Sequence, residues 1–466
     1  MTTDLSENER RPDRSSRSRR AILAGITTAA SVAVAGCQNL PWDDDDSTAS
    51  YTSDEASQVL ESERPEIEWP VPVEPEPSEL EDALERADSL VSEIPDPLEE
   101  GHVPNGVIRE AIAEDRTEAM AAREEAVDAA GPAQYHALRD ARELHETARA
   151  AATAWLAIDA DRDDLLRELR DERDAVQSVI DDHREALAYH GIDTDSGRLR
   201  AALYTYQRES DLERADRTVD RWSVHKSNDV LEIGESAGDL EFATTTTRIW
   251  EHFEDQYTRE FGGDDSDDLE AVFERALERS SARAEEAAFP SQDGDSAEWY
   301  DAVGLEEFDH RPLEFVVSRA GSSVHRAHDR MDDALDTGSL GSGLHHALEF
   351  EQRLRGFERF RDWLAARDGA GPTDSDEIRA ERDATLEAAD AALEAVPANE
   401  PSLGAYRLAE TLQELAWADD TIARDADREP NNNVRLDEEF GEYARLRAEL
   451  EALPEAVDAF RDRLLE

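Results

Sequence analysis

His325 and His328 stand three residues apart, and His345 and His346 follow soon after a glycine-rich stretch. Glu349 lies one helical turn beyond His345 and His346, on their face of a helix. Neutral imidazoles with a carboxylate suit zinc, and a zinc-bound water would make the chain a metal-assisted hydrolase. Only a helical hairpin centred near Leu340 would bring these five residues together. In such a hairpin His345 opposes Leu335 rather than His328, a stagger of about 10 Å at 1.5 Å per residue.

Other chemistry is harder to place. A di-iron bundle needs two E-x-x-H pairs, each on its own helix, plus two further glutamates; Glu307 with His310 is one such pair, but Pro312 follows at once and puts Glu307 in the turn before the helix. General acid and base pairs cannot be singled out among 114 carboxylates. The sequence holds no H-E-x-x-H, no G-x-S-x-G, no Walker A loop and no N-x-[ST] sequon. Asp43 to Asp46 lack the glycine and terminal glutamate of a calcium loop. Six tryptophans, Trp155, Trp222, Trp250, Trp299, Trp363 and Trp417, are spread one to a helix or loop and read as core anchors. Trp299 with Tyr300 in an irregular stretch would also suit an aromatic cleft, which would make the chain a solute-binding protein.

Composition narrows the partners. There are 114 acidic residues against 50 basic ones, a net charge of -64, and Lys226 is the one lysine. Such a surface repels itself at low ionic strength and is screened in molar salt. It also repels phosphates, so nucleic acid is not an expected partner. Cys37 is the sole cysteine, which leaves no internal disulfide and no thiolate metal site.

The N-terminal stretch places the chain in the cell. Six arginines from Arg10 to Arg20 form a basic region, and Ala21 to Ala35 is small or apolar without charge. That run is too short to span a bilayer, which takes about 20 apolar residues. Arg19-Arg20 and Val34-Ala35-Gly36-Cys37 close it at either end. The segment resembles a twin-arginine export signal joined to a lipobox, and with the acidity it is similar to lipoproteins of salt-loving archaea. The resemblance implies cleavage before Cys37, lipidation of Cys37, and a lipid anchor on the outer face of the cell membrane. No cofactor is implied.

These elements have to be carried by helices. Residues 1–36 read as signal and 37–78 as an acidic, proline-rich tether ending in WPVPVEPEP, extended at about 3.1 Å per residue. Residues 79–289 read as one helical bundle, and 290–466 as a second bundle or its continuation. The spacing predicts helices over 79–94, 105–130, 133–190, 198–235, 239–261, 267–288, 312–337, 344–366, 374–396, 402–426 and 436–465. The 133–190 stretch has no proline or glycine and approximates a coiled-coil seam, with a break expected near Asp159 to Asp164. The fold class is all-α, with long antiparallel helices in one or two bundles and coiled-coil-like packing. The function expected is a non-enzymatic, surface-anchored scaffold or interaction module that binds a protein partner or itself.

Overall fold

Helix breaks follow capping chemistry in the computed structural model, which describes residues 50–263, 266–305, 310–397, 399–427 and 433–466. Arg19, Arg20, Cys37, Asp43 to Asp46 and Glu307 lie outside the described residues. The described chain is an all-α helical bundle with extensive packing between helices. A short strand β1 (Tyr51–Thr52) and helix α1 (Ser53–Val59) open it. Then come α2 (Pro77–Val91), α3 (Gly106–Ala126), α4 (Pro132–Leu156), α5 (Arg162–Glu185), β2 (His190–Ile192), α6 (Asp195–Arg221) and α7 (Val230–Phe261). After β3 (Ser266–Asp268) follow α8 (Glu270–Ala287), α9 (Ser296–Val303), α10 (Arg311–Thr337), α11 (Leu340–Ala366), α12 (Ser375–Ala395), α13 (Leu403–Ala426), β4 (Asn433–Val434) and α14 (Asp437–Leu465). Proline sits in the first turn of α2, α4 and α10, where its missing N–H costs nothing.

The 133–190 stretch is two helices rather than one. The Asp161 side chain accepts from the amides of Asp163 and Asp164 and starts α5. The expected 198–235 helix breaks earlier than its glycines suggest, at residues 222–229. There Asp229 and Glu232 form a capping box that starts α7. Gly234 and Gly238 lie inside α7 because α4 crosses against them. A Cβ on Gly234 would come within 2.9 Å of Ala154 Cβ, and one on Gly238 within 2.7 Å of the Glu146 carbonyl. Gly341 and Gly343, expected in a flexible turn, are likewise inside α11. A Cβ on Gly341 would meet the Tyr206 amide nitrogen of α6 at 2.5 Å. Only Gly338 and Ser339 connect α10 to α11, and Gly338 takes the left-handed conformation at φ 75°. Ser266, just before the helix expected over 267–288, pairs in β3, opposite Ile192 of β2.

The largest apolar core gathers residues of α8 to α14 with Leu199, Ala201, Ala202 and Leu203 of α6 and with Tyr51, Ala56 and Val59 of the N-terminal arm. A second cluster joins α2, α3 and α4, and a third seats Trp250, Phe253 and Tyr257 of α7 against Tyr135 and Leu138 of α4. Trp250 and Trp299 are core anchors as expected. Trp417 is not: it is 60% exposed, because it lies on the outer face of α13.

The proline-rich segment does not stand clear of the body, at least from Tyr51 onward. β1 pairs antiparallel with β4, Tyr51 opposite Val434. Arg382 of α12 donates to the Val59 and Ser62 carbonyls at 3.4 and 3.0 Å. Ser62 Oγ donates to Asp383 at 2.8 Å, and Arg64 pairs with Asp419 at 3.4 Å. Further on, the Trp69 ring meets Tyr406 of α13 edge-on at 5.1 Å, while its carbonyl lies 3.3 Å from His136 Nε2 of α4. Arg200 of α6 donates to the Pro72 carbonyl at 3.2 Å, and the Glu76 amide donates to His252 of α7 at 3.2 Å. Val73 is buried in the third cluster. An extended chain without internal hydrogen bonds must satisfy its carbonyls elsewhere. Here donors from α4, α6 and α12 do so.

Candidate functional site

The five residues read as a zinc set do not converge. His325 Nε2 lies 2.8 Å from the Pro290 carbonyl, and its ring packs 5.1 Å from Phe289. His328 pairs with Asp332 on its own helix at 3.3 Å and faces Phe350, 5.7 Å away, across the α10–α11 hairpin. His345 and His346 sit further up α11, beside Tyr206 and Glu349. The hairpin register therefore keeps the stagger that its two-residue connection imposes. Among the described residues no group of three or more His, Cys, Asp or Glu is placed to hold a metal ion, which argues against the hydrolase reading. His310, which follows Glu307 by three residues, lies 3.3 Å from Asp437 at the start of α14.

Trp299 and Tyr300 are on α9 and are 5% and 4% exposed. The Trp299 indole N–H donates to the Pro290 carbonyl at 3.1 Å, and its ring lies over Gly321, which has no side chain to obstruct it. They fill space rather than line it. A shallow hollow of about 600 Å³ lies over the acidic face of α3, between Glu110 and Ala121, far along the chain from both residues.

What the fold does assemble is a cluster of buried charge where α11, α13 and α14 meet. Arg353 pairs with Glu414 at 2.6 Å and with Glu449. Arg445 reaches Glu449 at 2.6 Å, and Glu414 and Glu442 at 3.0 Å each. Arg407 donates to Gln352 at 2.5 Å and to Glu410 at 3.0 Å. His345 Nε2 approaches the same Glu410 oxygen at 3.3 Å without hydrogen-bonding geometry. The Tyr206 ring of α6 packs at a tilt against His345, 4.0 Å away, and Tyr406 closes the group 5.4 Å from Tyr206. Trp69 covers Tyr406 from outside.

Environment drives the two facing carboxyls of this cluster apart. Burial raises the Glu410 carboxyl to about 7, helped by the charges of Glu349 and Glu414. Burial also opposes ionisation of Glu349. Its hydrogen bond from His346 and the guanidinium charges of Arg407 and Arg353 outweigh that and hold it well below the usual range. Arg353, Arg445 and Arg407 likewise keep Glu414 low against its burial. Burial, with His346 alongside, pushes His345 well down and leaves it neutral. Glu410 is thus placed to hold a proton near neutral pH beside an imidazole, which is acid–base capacity. Its other neighbours are used in pairing helices.

A second buried pair lies next along α6. Asp211 accepts from Arg139 at 2.9 Å, from Arg142 at 2.6 Å and from the Trp250 indole at 3.0 Å. Burial works against its ionisation, but the two arginines bring it down to about 2. Neither cluster stood out by residue type. The first cluster's one legible signal is charge at i, i+3 and i+7 along a helix: Arg407, Glu410 and Glu414 of α13, and Glu442, Arg445 and Glu449 of α14.

Residues 78–265 match the family described as Domain of unknown function (DUF8262), and residues 270–462 match Domain of unknown function (DUF8264). No curated protein and no solved structure matches the chain significantly. The two matched segments meet beside β3. The strap at residues 50–76 precedes both and touches both: Arg382, Asp383 and Tyr406 in the second, His136, Arg200 and His252 in the first.

Proposed function

We propose that the chain is a lipid-anchored helical scaffold or interaction module on the outer face of the cell membrane, working in molar salt. The observation that supports a structural rather than chemical role is the use of its buried charges. Arg353, Arg407, Arg445, Glu414 and Glu449 satisfy one another across three helices, an arrangement that fixes helix register. The twin arginine, the uncharged run and Cys37 support the anchor. From Tyr51 on the chain is fastened to the body, and twelve residues, 38–49, separate Cys37 from Ser50 in the sequence. Fully extended they reach about 40 Å, so the body works close to the bilayer. On its surface Trp417 and Phe315 are 60% and 54% exposed and offer apolar contacts on an acidic body.

Proximity labelling on intact cells in high salt tests this reading. A reproducible protein partner, or neighbouring copies of the chain itself, should be recovered; recovery of neither defeats it. The anchor is tested by fractionating a Cys37→Ala variant and reading its intact mass. That variant should leave the membrane once its signal is cleaved, and a processed variant that stays bound removes the lipid from the account.

A further inference from the structure

We propose that the junction of α8, α11 and α14 is an oxyanion site, where Arg283, Arg355 and Arg463 take a phosphate group. Three helices bring these guanidiniums together. Arg463 Nε of α14 donates to Ser280 Oγ of α8 at 3.1 Å, and its Nη2 lies 3.4 Å from Glu351 Oε2 of α11. Arg355 grips the other oxygen of Glu351, at 2.7 and 3.0 Å. Arg283 stands one turn beyond Ser280 on the same face of α8. It is half-buried, yet it makes no hydrogen bond, ion pair or ring contact among the described residues.

Charge is out of balance here in the direction opposite to the rest of the chain. Buried Glu351 serves Arg355 and Arg463 at once. Glu455 at the rim pairs with Arg355 at 3.4 Å and with Arg359 at 3.0 Å. Arg283, Arg355, Arg359 and Arg463 therefore share two carboxylates, which leaves two positive charges over. The carbonyls ending α14 do not fill the deficit: Arg198 takes those of Leu464 and Leu465, and Arg279 takes that of Arg463. Burial pushes the Arg463 guanidinium below its ordinary value; Glu351 opposes this, and Arg283 and Arg355 add to it. Arg139, Arg353 and Arg445 are buried too, but their carboxylate partners outweigh burial and raise them. A guanidinium pairs two N–H groups with two oxygens of one anion, so three of them from three helices suit a group with several oxygens. Chloride offers one position only. The net charge of -64 repels phosphate at low ionic strength, but at a Debye length of about 3 Å in 1 M salt a single phosphate group feels the adjacent guanidiniums. Nothing in this site depends on the anchor or on a protein partner.

The test uses the full chain in molar sodium chloride. Inorganic phosphate and glycerol phosphate are titrated separately at constant ionic strength, and binding is read by phosphorus-31 line width and by the melting midpoint. Binding should broaden the line and raise the midpoint. A response to inorganic phosphate alone identifies a free ion, and a response to both identifies a phosphate group carried on a larger molecule. Arg283→Gln removes no internal contact, so without phosphate it should melt with the parent. It should weaken binding about tenfold, the worth of one charge-assisted pair. Arg463→Gln should weaken binding as well. Arg275→Gln, exposed on α8 two turns before Arg283, should leave it unchanged. Three outcomes overturn the site: no response to either probe, an equal response to acetate, or binding that Arg283→Gln does not move. Equal losses in Arg283→Gln and Arg275→Gln would show a general attraction of anions to arginine and overturn it too.

Discussion

Glu209 of α6 caps α11 from across the junction of the two matched segments, its carboxylate accepting from the amides of Gly341 at 3.2 Å and Ser342 at 2.6 Å. The first turn of a helix presents unpaired N–H groups and a partial positive charge, and a carboxylate satisfies both. Tyr189 completes the joint, with its hydroxyl 3.0 Å from Glu209 and accepting from the Leu340 amide at 3.2 Å. Removing Glu209 strands buried donors at roughly 1–3 kcal/mol each. Glu209→Ala should therefore lower the denaturation midpoint clearly in molar salt, and Glu209→Gln, which keeps an acceptor, should lower it less. Equal midpoints for all three chains would show that the cap adds nothing.

The α4–α7 crossing depends on two missing side chains. Gly234→Val places atoms where the α4 backbone and Ala154 already stand. Overpacking of this kind costs about 1–3 kcal/mol. Thermal melting of Gly234→Val should fall well below that of a surface change such as Glu235→Gln, and an unchanged melt would mean the helices separate freely.

Stability should fall as pH rises from about 6.5 through 7. Burial lifts Glu410, Glu146 and Glu439 to about 7 and Asp239 to about 6. An acid whose folded pKa is raised contributes stability that is fully present below its unfolded value, and loses it as pH climbs through the folded value. The acids held low by arginine, Glu349, Glu414, Glu442 and Asp211, act in the other direction, and their contribution is lost only on acidification below about 4. Burial lowers His345, His145, His136 and His183, which oppose the decline up to their unfolded value of about 6.5, so melting at fixed molar salt between about pH 6.5 and 7.5 should show it, and Glu410→Gln should flatten it. A midpoint that rises over this range contradicts the assignment.

Arg382 holds the arm's seat together. It grips Asp419 with two hydrogen bonds, at 2.9 and 2.8 Å, while donating to the arm's carbonyls. Arg382→Ala leaves Asp419 buried without its main counter-charge, a loss of about 3–5 kcal/mol. Hydrogen exchange should quicken first in α1, ahead of α2. Protection that is unchanged in α1 would place the arm's stability elsewhere.

Screening should matter throughout. With a net charge of -64, the unfolding midpoint should rise between about 0.2 and 3 M salt, the range over which the Debye length shrinks to a few ångströms. A midpoint indifferent to salt would show that the paired carboxylates already offset the repulsion.

Sequence alone was enough to establish the all-α class and most helix termini, because periodicity, proline and capping act within a few residues. The glycines show where that reach ends. Gly234, Gly238, Gly341 and Gly343 look like breaks locally and are contact points in the fold, since only the neighbouring helix decides whether a missing Cβ ends a helix or admits a backbone. The histidines show the same limit: their spacing suggested a set, but helix register and the carbonyl of Pro290 dispersed them. The proline-rich strap and the Glu410, Arg407 and Arg353 cluster were decided by tertiary structure alone. Their partners lie tens to hundreds of positions away, and in a chain with 114 acidic residues a buried glutamate differs from a solvated one only by what packs around it.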